Sequence, residues 1–110
     1  VGGKRIPRAR AGDKWCDLFA SQLDRSRGLQ DYEREFKFLA NRKFRFDFAW
    51  PSLGVAAEVD GVVHRIKDRF ARDREKGNLA VLHNWRVLHF APAQIKTGEA
   101  LKTIEAAIFR

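Results

Sequence analysis

The chain has 110 residues, 45% of them hydrophobic and 12% aromatic, which is enough for one compact core and too little for two domains. Lys and Arg number 22 against 14 acids, a net charge of +8 that points to a polyanionic partner. No stretch is apolar enough to span a bilayer and the basic residues do not line one amphipathic helix, so nucleic acid is expected and a membrane is not. Cys16 is the sole cysteine, which excludes an intrachain disulfide and a cysteine zinc cluster and fits a reducing, cytoplasmic setting.

Residues 1–12 hold four basic residues, three Gly and one Pro without periodicity, and read as a flexible basic arm ahead of a single domain over 13–110. From Asp13, a plausible N-cap, Trp15, Leu18, Phe19 and Leu23 recur at helical spacing, with Gly28 as the stop. Asp17 and Asp24 fall on the polar side of that helix.

Three strands follow over roughly residues 32–38, 43–50 and 55–60. In the second, Phe44, Phe46, Phe48 and Trp50 alternate with Arg45 and Asp47, so the aromatics are expected on one face and Asp47 on the other. In the third, Val55, Ala57 and Val59 alternate with Glu58 and Asp60. Pro51 and Gly54 bracket a four-residue connection that sets Trp50 opposite Val55 and therefore Asp47 opposite Glu58. Pairing Phe38 with Phe44 on the first hairpin brings Glu35 opposite Asp47, and Arg34 then lies on the aromatic face as the one misfit.

Glu35, Asp47 and Glu58 thus form a row across three strands. Like charges directly opposite one another destabilise a sheet. A row of carboxylates is also how a chain holds a hard divalent cation through oxygen ligands. The alternative is a solvated face whose acids pair with Lys37 and Arg45.

Residues 66–84 read as a second helix, charged in its first half and apolar over Leu79 to Leu82, and Trp85 to Phe90 as a fourth strand parallel to the third after a right-handed crossover. Pro92 ends that strand, and Thr97 is placed to cap a last helix striped by Leu101, Ile104 and Ile108. His83 and His89 lie in apolar surroundings and are expected to be packing residues.

The order of elements resembles the PD-(D/E)XK nuclease superfamily, with an Asp on the second strand and Glu-x-acid on the third. More narrowly, FDFAWP over Phe46 to Pro51, AEVDG over Ala57 to Gly61 with His64, and RDREKGN over Arg72 to Asn78 followed by NWRVL over Asn84 to Leu88 are similar to the very-short-patch repair endonucleases and their small bacterial and phage relatives. The resemblance covers residues 13–110. It implies an α/β fold with a restriction-endonuclease-like αβββαβ core, in which helices flank a mixed four-stranded sheet. It also implies Mg²⁺- or Mn²⁺-dependent hydrolysis of DNA phosphodiesters.

By position, the resemblance makes Asp47 and Glu58 metal ligands, with the Val59 carbonyl as a third. The register adds Glu35, while a first-helix acid such as Asp17 is the superfamily's other choice. The superfamily lysine is missing, since Asp60 occupies its place, and Asp60 is cast as a second-ion ligand or proton acceptor. Lys76, from the helix after the active strand, is the substitute cation, and His64 an acid, base or phosphate contact. Lys43, Arg45, Arg65, Lys67, Arg69 and Arg72 are the candidate DNA contacts. So small a domain suits nicking or structure-specific cleavage in repair or recombination, or help from a homodimer partner. The competing class is a nuclease-fold nucleic-acid-binding module that has lost its chemistry, which the absent lysine favours.

Overall fold

A computed structural model of the protein describes residues 13–60 and 67–109. The elements in chain order are α1 (Asp13–Asp24), β1 (Glu33–Lys37), β2 (Arg45–Trp50), a 3-10 turn (Pro51–Leu53), β3 (Val55–Val59), α2 (Lys67–Leu82), β4 (Arg86–Phe90), α3 (Pro92–Thr97) and α4 (Glu99–Ile108). The four strands form one mixed sheet in the order β1-β2-β3-β4, antiparallel up to β3 and parallel from β3 to β4 across α2. The fold is α/β, an αβββαβ order followed by two further helices. The basic arm of residues 1–12, His64 and Arg65 lie outside the described residues. Among the described residues no helix is long and apolar enough to cross a membrane.

The turn between β2 and β3 fixes the register. Pro51 opens it at the first helical position, where its ring is pre-set for the turn, and Gly54 closes it at φ +66°. A side chain on Gly54 would be strained by that backbone and would also meet the Asn84 carbonyl at 3.1 Å. Trp50 pairs with Val55 and Phe48 with Ala57, as the turn demands.

Each sheet face carries its own core. On one, α1, α3 and α4 cover Phe48, Trp50, Val55 and Ala57 with Phe19, Leu23, Ile95 and Ile104, all buried. Each such large side chain contributes about 1.5–3 kcal/mol by leaving water. The buried stripe of α1 is Cys16, Phe19, Ala20 and Leu23, whereas Leu18 is exposed. Asp24 accepts a 2.8 Å hydrogen bond from the Tyr32 hydroxyl, and the Trp50 indole N–H donates to the Leu29 carbonyl at 3.1 Å. The other face is thinner. There Phe46, Ala49, Ala56 and Ala80 are buried among Phe36, Phe38, Trp85 and Val87, and over residues 71–82 of α2 Ala80 is the one buried residue.

The strict alternation expected of β2 therefore fails. Phe46 packs on the α2 face, while Phe48 and Trp50 pack on the α1 face. The cause lies in the partner strand, where Glu35 adopts a left-handed φ of +53°. Pairing runs through Glu33↔Ala49 and Arg34↔Phe48, skips Glu35 and Asp47, and resumes at Phe36↔Phe46. Register is kept, but both strands lose one step of the pleat together, so the side chains beyond it change faces. This also accounts for Arg34. It lies on the α1 face opposite Phe48, its guanidinium 5.3 Å from that ring, and pairs with Asp17 at 2.9 Å.

Two smaller differences concern the last third of the chain. β4 ends at Phe90, ahead of Pro92 as expected, but Pro92 also starts a six-residue helix that was not expected, and that helix buries Ile95. Thr97 is the last residue of α3. The α4 N-cap is Gly98 at φ +86°, and the Thr97 hydroxyl accepts from the Glu99 N–H at 3.4 Å.

Candidate active site

At one end of the sheet the start of β2 meets the carboxyl ends of the parallel pair β3 and β4, and the candidate residues gather there. In open α/β sheets this is the end where ligands bind. Continuing the register of β2 on β3 sets Asp47 opposite Glu58, at the point where the ladder ends. Asp47 takes over the backbone's role there, as its Oδ2 accepts the Val59 N–H at 2.8 Å. One of the expected ligands is thereby tied to the strand that carries the other.

Glu58 lies on the α2 face, on the same side of β3 as Ala56. Its Oε2 accepts a hydrogen bond from Lys76 Nζ at 2.7 Å, and the two side chains are only 15% and 18% exposed. Burial pushes the Glu58 carboxyl above the usual carboxylate range, the Lys76 ammonium pulls it back, and the charge on Asp47 pushes it up again. The Phe46 ring, brought to this face by the break at Glu35, lies 5.5 Å from Lys76 Nζ and adds a cation–π contact. The substitute cation expected from α2 is therefore in contact with the Glu-x-acid strand.

β4 brings a residue that sequence reasoning assigned to packing. Its parallel pairing aligns His89 with Glu58 and Phe90 with Val59. His89 is not buried, since its side chain is 59% exposed, with Nδ1 3.7 Å from Asp60 Oδ2. The Asp60 carboxylate raises the His89 pKa above its ordinary value, burial opposes this, and the charges of Glu58 and Lys76 act on it from either side. Asp60 is itself held in place by its N–H, which donates to the Phe90 carbonyl at 2.8 Å. His83, the other presumed packing histidine, is exposed beyond the end of α2. The signal that singles out His89 is its spacing. Once β4 is parallel to β3 and the last residues of the two strands are matched, the residue before Phe90 falls beside Glu58.

The remaining candidates divide. Glu35 sits at the left-handed position of β1, and among the described residues no three His, Cys, Asp or Glu side chains form a group that could hold a metal. Asp47 and Glu58 are thus close neighbours, and among the described residues no third acid completes a metal-binding group with them. Lys43 is exposed in the loop before β2, and Arg45 is exposed directly opposite Lys37. Arg72 is exposed on α2, and Lys67 and Arg69 fall in the first turn of that helix. Arg42 pairs with Glu75 and so ties the loop between β1 and β2 to α2.

Comparison of the chain with protein-family models, with curated proteins and with solved structures gives no match in any of the three.

Proposed function

We propose that the protein is a metal-dependent endonuclease of the PD-(D/E)XK type that hydrolyses DNA phosphodiesters at the Asp47–Glu58–Lys76 cluster. What carries this function is the contact between Lys76 and Glu58. Chemistry of this class needs two acids and a cation at the end of adjacent strands. Here the strand position for the lysine is filled by Asp60, and an ammonium from α2 reaches the same carboxylate instead.

The donor set suits Mg²⁺ or Mn²⁺. Asp47, Glu58 and the Val59 carbonyl would hold the ion through hard oxygen atoms, and a cation between Asp47 and Glu58 would relieve the repulsion and burial that raise the Glu58 pKa. When bound, such an ion supplies a water of lowered pKa and compensates charge on the phosphoryl oxygens. The chain's own residues do the rest. Lys76, steadied by Glu58 on one side and the Phe46 ring on the other, presents a fixed positive charge where the phosphate gains negative charge. Asp47, anchored on the Val59 N–H, sets the spacing of the two strands. The net charge of +8, with Lys43, Arg45 and Arg72 exposed, supplies the attraction for the polyanion.

The test is cleavage of supercoiled, linear and single-stranded DNA in Mg²⁺ or EDTA by the wild type and by Glu58→Ala. Glu58→Ala is expected to lose cleavage and to keep or slightly improve DNA binding, because a carboxylate facing phosphate is removed. Cleavage at the wild-type rate by purified Glu58→Ala would refute the assignment. One observation favours the binding-module reading: Glu58 is already neutralised by Lys76 and no third acid joins it among the described residues. A wild type that binds DNA and cuts nothing in Mg²⁺ or Mn²⁺ would decide for that reading.

A further inference from the structure

We propose that His89 is a phosphate-contacting residue of this site and that Asp60 is the carboxylate that orients it. The proposal takes its substrate class from the nuclease reading. The contact itself does not depend on cleavage.

Placement comes first. β4 is parallel to β3 and aligns His89 with Glu58, and Val87, two residues earlier on the same side of β4, packs on the α2-face cluster with Phe46 and Ala56. The imidazole therefore stands on the face that carries Glu58 and Lys76. It is exposed there between Leu88, which is half-buried, and Phe90, which is buried.

The pairing with Asp60 is poorly explained by stability. At 3.7 Å it is too long for a direct hydrogen bond. Both side chains are more than half exposed, and ion pairs of that kind add little to folding. An electrostatic bias on the orientation of the imidazole is the better explanation. Nδ1 is the nitrogen turned toward Asp60, which leaves Nε2 as the nitrogen open to a ligand. A carboxylate that fixes one imidazole nitrogen so that the other can act is a recurring arrangement in sites that handle oxyanions.

Charge completes the case. A phosphate entering beside Asp47 and Glu58 also approaches the half-exposed Asp60, and the charge of Lys76, shared with Glu58, offsets these acids in part. A second donor on the same face lets the phosphate approach. His89, aligned with Glu58 across the parallel pair and exposed on the face that carries Lys76, is placed to be that donor. Asp60 then has a role that accounts for an acid at the position where a lysine is expected.

The chain has three histidines, so its imidazole Cε1–Hε1 resonances can be resolved by NMR and the His89 signal assigned by its loss in His89→Asn. The probe is a short DNA oligonucleotide titrated in EDTA, with binding followed independently by fluorescence anisotropy. The His89 signal is expected to shift along the binding isotherm, while His83, at the opposite end of β4, stays in place. In Asp60→Asn the His89 shift should shrink although the protein stays folded. With Mg²⁺ present, His89→Asn should lower kcat on the order of a hundredfold and change KM much less. An unmoved His89 signal on bound DNA, or equal shifts at His89 and His83, overturns the proposal. So does a failure to bind DNA at low salt, which removes the nuclease reading with it. A His89-specific shift without cleavage in Mg²⁺ or Mn²⁺ sustains the contact and rejects only the enzyme.

Discussion

Lys76→Met is the most informative single perturbation, because it removes the ammonium and keeps a side chain of similar length against the Phe46 ring. Glu58, 15% exposed and beside Asp47, is then left without its nearest counter-charge. Breaking a fully buried pair by removing one partner costs about 3–5 kcal/mol. Because both side chains here keep some contact with water, a loss of about 2–3 kcal/mol at pH 7.5 is expected. The sign of the pH dependence follows from Glu58. Burial already holds its folded pKa above the ordinary carboxylate value, and loss of Lys76 raises it further. The neutral carboxyl is therefore the form that the fold prefers, and the stability tied to it is fully present below the unfolded pKa and is lost as pH rises through the folded one. The deficit of Lys76→Met should accordingly be large at pH 7.5 and shrink toward pH 5. Urea unfolding at the two pH values measures it. The double variant Glu58→Gln/Lys76→Met, which leaves no orphaned charge, should recover part of the loss. A Lys76→Met protein as stable as wild type at pH 7.5, or a deficit unchanged at pH 5, would refute the buried pair.

The same geometry makes two further expectations. Mg²⁺ or Mn²⁺ should raise the melting temperature of the wild type, and Asp47→Asn should lose most of that response; equal responses would remove Asp47 from the metal site. Tyr32, whose pKa is pushed up to about 12 by burial and by its hydrogen bond to Asp24, keeps its stability contribution below pH 10 and loses it as pH rises to 12. Tyr32→Phe should therefore be less stable near neutrality by about 1 kcal/mol and lose less stability than wild type across that alkaline window in chemical denaturation; parallel curves would contradict the shift.

Much of the site could be read from sequence because its residues stand on strands whose register one turn fixes. Pro51 and Gly54 set Trp50 on Val55, and everything outward from that pair follows by counting, including Asp47 beside Glu58. Lys76 was legible for another reason. An acid at Asp60 left the site in need of a cation, and the helix that follows β3 in the chain must return along the sheet. What could not be read turns on single backbone angles and on small residues. Nothing about a glutamate announces a left-handed φ, yet Glu35 at +53° moves Phe46 to the other face. Cys16 and Ala20 are too weakly apolar to outweigh Trp15 and Leu18 in a periodicity, although α1 buries them beside Phe19 and Leu23. The six residues of α3 are too few to show a period at all. His89 was hidden by its neighbours, because a polar residue among Val87, Leu88 and Phe90 reads as one more part of an apolar strand. The irregularity at Glu35 also bears on chemistry. A strictly alternating β2 would carry Phe46 to the α1 face with Phe48, and Lys76 would reach Glu58 without an aromatic ring beside it. The departure from period two that misleads a reading of the core is thus what completes the surroundings of the one cation the proposed chemistry requires.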